Sequence, residues 1–493
     1  MDLVSVVLFL VMYYIRPQEW SSIFGKIHFV QIVMIMALGG LFTRERGLKF
    51  KDVLKTPHDW MMLFFFMWMI LTSVTPWQVF QDNYPLAIFY IVIVQTLTDV
   101  RRLKIFVGWW TFLIVAIAAL AIASEFGIDP LGGHDITVNK MKGRLVLNLS
   151  IFANPNALGH NVAPCIPMLY FFLIWKRPIF MKQLGSLMFI IPLWCIYLTL
   201  SKGTFLTTGG VIVATMAFGR PKTVQILIAV LAIMFGGTAF YALPRMHELD
   251  KSKVDPAIQG RVIAFTTAYN VLETQWAGCG RGRWLETFFH VHHYNKACHS
   301  SYVQTGAELG IPGFFLFLGC LYCNLRTLMM ATTHDPDEER IRRTLFVLVL
   351  SYMVSSWMVD LGYRPTFFMF SAAVAAFHRH LYKLNLPESD ELPSAAGSLV
   401  PAWRMRLMPQ PALTQALVGA GGPNATVFTM AKYTPPQPAL PGAATAEAIQ
   451  EGEESEEEEP QEFWNRIGII DIILIGFMTW GAIHFWAFMI KHM

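Results

Sequence analysis

Residues able to do chemistry crowd into one stretch of the sequence, 244–301. It holds Arg245, Arg261, Arg281 and Arg283, together with His290, His292, His293 and His299. Guanidinium groups grip anions through several N–H donors at once, and an imidazole can take a proton near neutral pH. Cys279 and Cys298 lie in the same stretch, where an oxidising compartment would allow a disulfide. His290, His292, His293, Cys298 and His299 have the residue types of a zinc site. Adjacent His292 and His293 point apart in most backbones, however, and no regular ligand spacing appears, so no metal and no other cofactor is expected. Two further pairs invite a reading and lose it by position. Cys320-x-x-Cys323 falls inside an apolar run and reads as packing, and Asp335-x-Asp337 falls in a surface loop.

The elements that must hold these residues are membrane helices. Of 493 residues 54% are hydrophobic and only 15% charged, against roughly 25% charged in soluble chains. That excludes a soluble globular domain, and the scattered net charge of +4 gives no reason to expect nucleic acid. A span needs about 20 mostly apolar residues. Candidates are 2–15, 28–43, 59–75, 84–98, 105–124, 157–175, 184–200, 204–218, 223–243, 302–325, 344–359 and 365–381, with 467–490 standing apart. The reading is an all-α polytopic membrane protein of about 12–13 transmembrane helices with a large helical loop. A signal peptide at 2–15 is set aside, because no basic start and no small-residue cleavage site accompany it.

Loop charges orient the bundle. With the N-terminus in the cytoplasm, the inner loops collect Arg44, Arg46, Lys49, Lys51 and Lys55, then Arg101, Arg102 and Lys104, then Lys176, Arg177 and Lys182, then Arg220 and Lys222, then Arg340, Arg342 and Arg343. The loop at 76–83 has no Lys or Arg. Stretches 125–156 and 244–301 are then long outer loops, and the basic residues of the second sit on the side that disfavours them. Within it Ile258, Val262, Phe265, Tyr269 and Leu272 recur at helical spacing, which predicts an amphipathic helix over Ile258–Trp276. Arg261 falls near its start, and Gly278-Cys279-Gly280-Arg281-Gly282 ends it in a turn.

His299-Ser300, then nine residues to Gly310-x-x-Gly313, resembles the signature of the O-antigen ligase family, which covers lipopolysaccharide O-antigen ligases, polysaccharide polymerases and protein O-oligosaccharyltransferases. Ser201-Lys202-Gly203, Asn154-Pro155-Asn156, Gly260-Arg261 and Gly278-x-Gly280 are similar to further family elements, so the resemblance covers about 140–380. It implies transfer of a glycan from an undecaprenyl-diphosphate carrier to an acceptor hydroxyl on a glycolipid, a glycan or a protein, at the periplasmic face of a bacterial inner membrane. It also implies a metal-independent, inverting displacement. Arg261 and Lys202 would hold the lipid diphosphate, with Arg281 and Arg283 as helpers, and His299 would take the acceptor's proton. The family usually has Arg where Lys202 stands, so the planar two-pronged phosphate contact is lost there. Asp360 could orient His299 or the acceptor, Arg144 is a weaker candidate, and Glu308 reads as a buried structural partner.

The domain reading follows: a transmembrane glycosyltransferase domain over 1–383, a Pro-, Ala- and Glu-rich cytoplasmic tail over 384–462 expected to be disordered, and one more helix over 463–493. The acidic run Glu451–Glu459 reads as a solvated tail, where envelope-assembly proteins could dock. Asp471 and His484 inside the last span suggest that it packs against the bundle or a partner. A polymerase of the same family differs from a ligase only in its acceptor. The rival of another class is a secondary transporter, which would keep its polar site near the bilayer midplane on broken, repeated helices.

Overall fold

A computed structural model describes residues 2–21, 29–43, 53–132, 143–241, 256–333, 335–382, 464 and 466–492. The expected tail over 384–462, the basic residues Arg44, Arg46, Lys49 and Lys51, and Arg245 fall outside the described residues. What is described is helix joined by turns, as a bilayer demands when every backbone polar group must find its partner within the chain. Among the described residues five helical stretches are long and apolar enough to cross a membrane: Val100–Glu125, Pro155–Ile174, Ile179–Thr199, Ser301–Met330 and Ile469–His492. Phe29–Phe42, Pro57–Leu71 and Lys222–Met234 are shorter apolar helices. The protein is an all-α, polytopic membrane protein.

In chain order the helices begin with α1 (Asp2–Ile15), α2 (Pro17–Trp20), α3 (Phe29–Phe42), α4 (Pro57–Leu71), α5 (Pro76–Thr96) and α6 (Val100–Glu125). Next comes a broken span: α7 (Pro155–Val162), α8 (Cys165–Leu169) and a π-turn over Tyr170–Ile174, interrupted at Ala163–Pro164, where the proline ring removes a backbone donor. Then follow α9 (Ile179–Met188), α10 (Ile190–Thr199), α11 (Lys202–Ala217), α12 (Lys222–Tyr241), α13 (Pro256–Thr274), α14 (Trp284–His292), α15 (Ser301–Met330), α16 (Pro336–Ser355), α17 (Pro365–Leu381) and α18 (Ile469–His492).

Polar residues punctuate the apolar runs. Thr56 caps α4 in a reciprocal box with Asp59, Pro57 follows at the first helical position, and Asp99 caps α6. Asp335 caps α16 by accepting from the Asp337 amide, and Asp337 is itself engaged by Lys104 and Arg340. The Asp335-x-Asp337 pair is thus a helix start. At the same end of the bundle Arg102 bonds Asp2 at 2.9 Å, tying the start of α6 to the start of α1.

α17 is the axis of the packing. Every residue from Thr366 to Arg379 is buried, and α4, α5, α6, α15 and α16 surround it. A helix buried on all sides must be apolar or small on all sides, and Ser371, Ala372, Ala373, Ala375 and Ala376 let neighbouring backbones approach closely. Phe367 meets Phe65, Phe317 and Tyr352, so one aromatic knot joins α4, α15 and α16 to this axis. The charged tip of the axis is neutralised: Arg379 pairs with Asp59 at 2.7 Å, and Tyr90 donates to the same carboxylate at 3.1 Å. Cys320 and Cys323 are buried free thiols inside α15.

Candidate active site

The loop anticipated over 244–301 is described from residue 256 onward. Its helix α13 starts two residues earlier than the hydrophobic spacing predicts, and Arg261 lies in its second turn. Phe265 and Leu272 are buried beneath it, and Tyr269 is packed against the same cluster. The glycine turn follows: Gly278, Gly280 and Gly282 all have positive φ, at 78°, 96° and 83°. Short α14 then leads to His299, whose φ of 53° is left-handed, a region that costs a side chain energy and that the surroundings must enforce.

Enforcement comes from the two serines after it. Ser300 caps α15 by accepting from the Val303 amide and donates to the Ser356 carbonyl at 3.1 Å. Ser301 donates to the Val359 carbonyl at 3.0 Å and accepts from the Leu361 amide at 2.7 Å. The His-Ser-Ser segment is therefore stitched to the turn 356–361, which carries Met358 and Asp360. Deeper in, Gly310 breaks α15 with φ 65° and ψ −165°, a conformation reserved for glycine. Its neighbours explain the need for no side chain. A Cβ there would lie 2.5 Å from the Ala277 carbonyl carbon and 2.6 Å from the Gly278 nitrogen. The Ile311 amide bonds the Trp276 carbonyl, and the Trp68 indole takes up the Leu309 carbonyl at 2.8 Å. The distal glycine of the motif thus locks the end of α13 against α15.

His299 opens on a cavity of about 180 Å³ lined by Asp360, Arg364, Asn154, Asn156, Asn161 and Tyr13, among others. The His299 imidazole is held below its ordinary range: burial favours the neutral ring, Arg261 and then Lys296 oppose a second positive charge, and Asp360 partly offsets them. A neutral ring at neutral pH can accept a proton. The Arg261 guanidinium reaches the Met358 sulfur at 3.9 Å. A Cβ on Gly203 would sit 3.3 Å from both Met358 and His160 Nε2, so the first turn of α11, which carries Lys202, adjoins this group.

Asn156 organises the wall beside Lys202. It accepts from Arg144 at 2.9 Å and from Ser201 at 2.8 Å, and Arg144 also binds the Thr199 carbonyl. Arg144 is thereby a brace between α7 and the start of α11. Sequence reasoning missed His160, which is buried and bonds Ser355 at 3.0 Å while its Nε2 faces Gly203. An ionisable residue inside a span is the signal that marks it.

Arg281 and Arg283 stand apart from this cavity. Arg281 pairs with Glu308 at 3.2 Å and stacks 3.7 Å over the Tyr363 ring. Glu308, buried, also accepts from Gln304, the structural role its position in the motif suggests. Arg283 pairs with Glu286 at 2.7 Å on an exposed face. Both arginines line a second cavity, of about 550 Å³, which shares Tyr13 and Arg364 with the first. Cys279 and Cys298 are separate thiols. His292 bonds Thr267, His290 faces Glu286, and among the described residues no group of three or more His, Cys, Asp or Glu is placed to hold a metal ion.

Residues 187–318 match the O-antigen ligase family model. This stretch is an O-antigen ligase domain. The resemblance read from the motifs is borne out over it, and the O-antigen ligase domain takes in Ser201-Lys202-Gly203, Arg261, His299 and the Gly310 break. The match is narrower than the 140–380 covered by the motifs. Asn156, Asp360 and Arg364 lie outside it and reach the same cavity through the fold. No curated protein matches the chain. The match supports, in general terms, a membrane glycosyltransferase of ligase or polymerase type.

Proposed function

We propose that the protein transfers a glycan from an undecaprenyl-diphosphate carrier to an acceptor hydroxyl at the periplasmic face of a bacterial inner membrane. The carrying observation is His299, kept neutral by burial and by Arg261, in a cavity that Asp360 also lines. In this reading Arg261 and Lys202 hold the diphosphate. As the bond from the anomeric carbon to the phosphate oxygen breaks, charge grows on that oxygen, and fixed cations lower the barrier. His299 takes the acceptor's hydroxyl proton while the new bond forms on the opposite face, which inverts the anomeric centre. Arg281 and Arg283, each paired with a glutamate, are at most indirect helpers to the diphosphate.

A defined lipid-diphosphate glycan and candidate acceptors, incubated with purified protein with and without chelator, test the scheme. Transfer should proceed in chelator and fall by about 10²–10⁴-fold in His299→Ala. Transfer by that variant at the wild-type rate, or only with added metal, would overturn it. An acceptor that is itself carrier-linked would make the protein a polymerase; a glycolipid or protein acceptor would make it a ligase.

A further inference from the structure

The loop that carries Arg261 and His299 has a hydrophobic core of its own, distinct from the one around α17. Its buried members all belong to the segment 264–307 except one, Trp486 of α18. Phe265, in this core, lies one helical turn beyond Arg261, and Cys298, also in it, is the residue before His299. The Trp284 indole adds a bond at 2.8 Å to the Lys296 carbonyl, three residues before the imidazole. The guanidinium and the imidazole thus hang from one small core, and a helix from the far end of the chain completes it. That helix lies outside the stretch 187–318 matched by the family.

Trp486 is wedged into place. Its indole N–H donates to the Phe265 carbonyl at 3.2 Å, and its ring meets Tyr269 edge-on, centroids 5.6 Å apart. A Cβ on Gly306 would come within 2.9 Å of it, so that glycine makes room for the indole. Its neighbour Phe485 sits edge-on against Trp357 at 4.9 Å. Trp357 stacks on Tyr302 and stands between Ser356, whose carbonyl takes Ser300 and Ser301, and Met358, whose sulfur meets Arg261. Two adjacent side chains of α18 therefore touch α13 on one side and the turn 356–361 on the other. At the opposite end of α18, about 22 Å away along the helix, Asp471 pairs with Arg326 and accepts from Tyr322, which fixes the register. We propose that Trp486, with Phe485, is a positioning residue that sets where Arg261 stands relative to His299. That role rests on the glycosyl-transfer reading, in which Arg261 holds the diphosphate and His299 takes the acceptor's proton.

Transfer assays on full-length protein, normalised to folded enzyme, test it through the acid limb of kcat/KM. Arg261, Lys296 and Asp360 act on the His299 charge, and Arg364 lines the same cavity. Arg261 lowers the pKa of the ring, so displacing the guanidinium should raise it and carry the acid limb to higher pH. Arg261→Gln sets the reference: the limb moves up and the donor KM rises. Trp486→Ala should move the limb the same way and lower kcat/KM by about 10²-fold, the effect of misplacing a reacting group by about 1 Å. Trp486→Phe, which keeps a ring beside Gly306 and Tyr269, should recover most of both. Phe485 is exposed, so Phe485→Ala opens no buried gap; it should give a smaller shift of the same sign. Phe171→Ala removes a fully buried ring that packs on Trp175 in the π-turn; it should lower the melting temperature and leave the limb in place. A limb that moves in Arg261→Gln but in neither Trp486→Ala nor Phe485→Ala would overturn the positioning role and leave the glycosyl-transfer reading standing. Should Trp486→Ala not fold, an unmoved limb in Phe485→Ala decides against the role in the same way. A limb that Arg261→Gln leaves in place would overturn both.

Discussion

Asp360 and Lys202 show how much a single side chain can shift the proposed chemistry. Asp360 raises the pKa of His299 against the larger lowering by burial and Arg261. A base works only when deprotonated, so activity should be lost as pH falls through that lowered pKa. Asp360→Asn removes the raising charge, and the acid limb of kcat/KM should move to lower pH. A limb that stays put, or moves up, would detach Asp360 from His299. Lys202 presents an ammonium, without the planar two-pronged contact of a guanidinium. Lys202→Ala should raise the donor KM by about tenfold or more, the worth of a hydrogen bond to a charged group. Lys202→Arg should keep the donor KM at or below the wild-type value. Steady-state kinetics with varied donor separates these outcomes.

Among the elements, α13, α15 and α18 form one assembly around the loop that carries Arg261. α18 was expected to pack because Asp471 sits inside an apolar run, and it does. Asp471 pairs with Arg326, accepts from Tyr322 at 2.6 Å and from the Trp464 indole at 3.1 Å. His484, the other polar residue of that run, remains exposed and only bonds its own helix. Near the far end of α18, Trp486 is fully buried and donates to the Phe265 carbonyl of α13 at 3.2 Å. Trp486→Ala should cost about 3–5 kcal/mol if the gap does not close, and should loosen α13. Faster proteolysis near residue 256 and lower thermal stability in detergent would report it. Gly310→Ala should cost about 1–3 kcal/mol for its backbone alone, with a clash against Ala277 and Gly278 added. A melting temperature equal to wild type would show that the motif glycine has another purpose.

For the whole molecule, the orientation derived from loop charge is open to direct measurement. If the 244–301 loop faces the periplasm, R283C should react in intact cells with a maleimide that cannot cross the inner membrane, and R220C should react only after lysis. Background from the natural half-buried Cys279 should be slow, since burial pushes its thiol up to about 11 and leaves little thiolate at neutral pH. The reverse labelling pattern would place His299 and Arg261 in the cytoplasm and end the proposed function.

Class, helix placement and the family resemblance were legible because each leaves a local mark. An apolar run of span length, a proline or acidic cap, the 3.6-residue rhythm of α13 and the His-Ser to Gly-x-x-Gly spacing are all properties of neighbours along the chain. What had no such mark was decided by packing. Arg281 and Arg283 share a glycine turn with one another and a loop with His299, yet Glu308 and Glu286 claim them and direct them to the larger cavity. Asn156 and Arg364 come from distant segments and line the His299 cavity, with His160 bonded to Ser355 nearby, only because α7 packs on α11 and α11 on α16, which leads into the 356–364 turn. Hydrophobic pattern and local hydrogen bonding act over a few residues. The partner of a charge or of a buried polar atom is whatever the fold brings within about 3 Å, and no single stretch of chain encodes that.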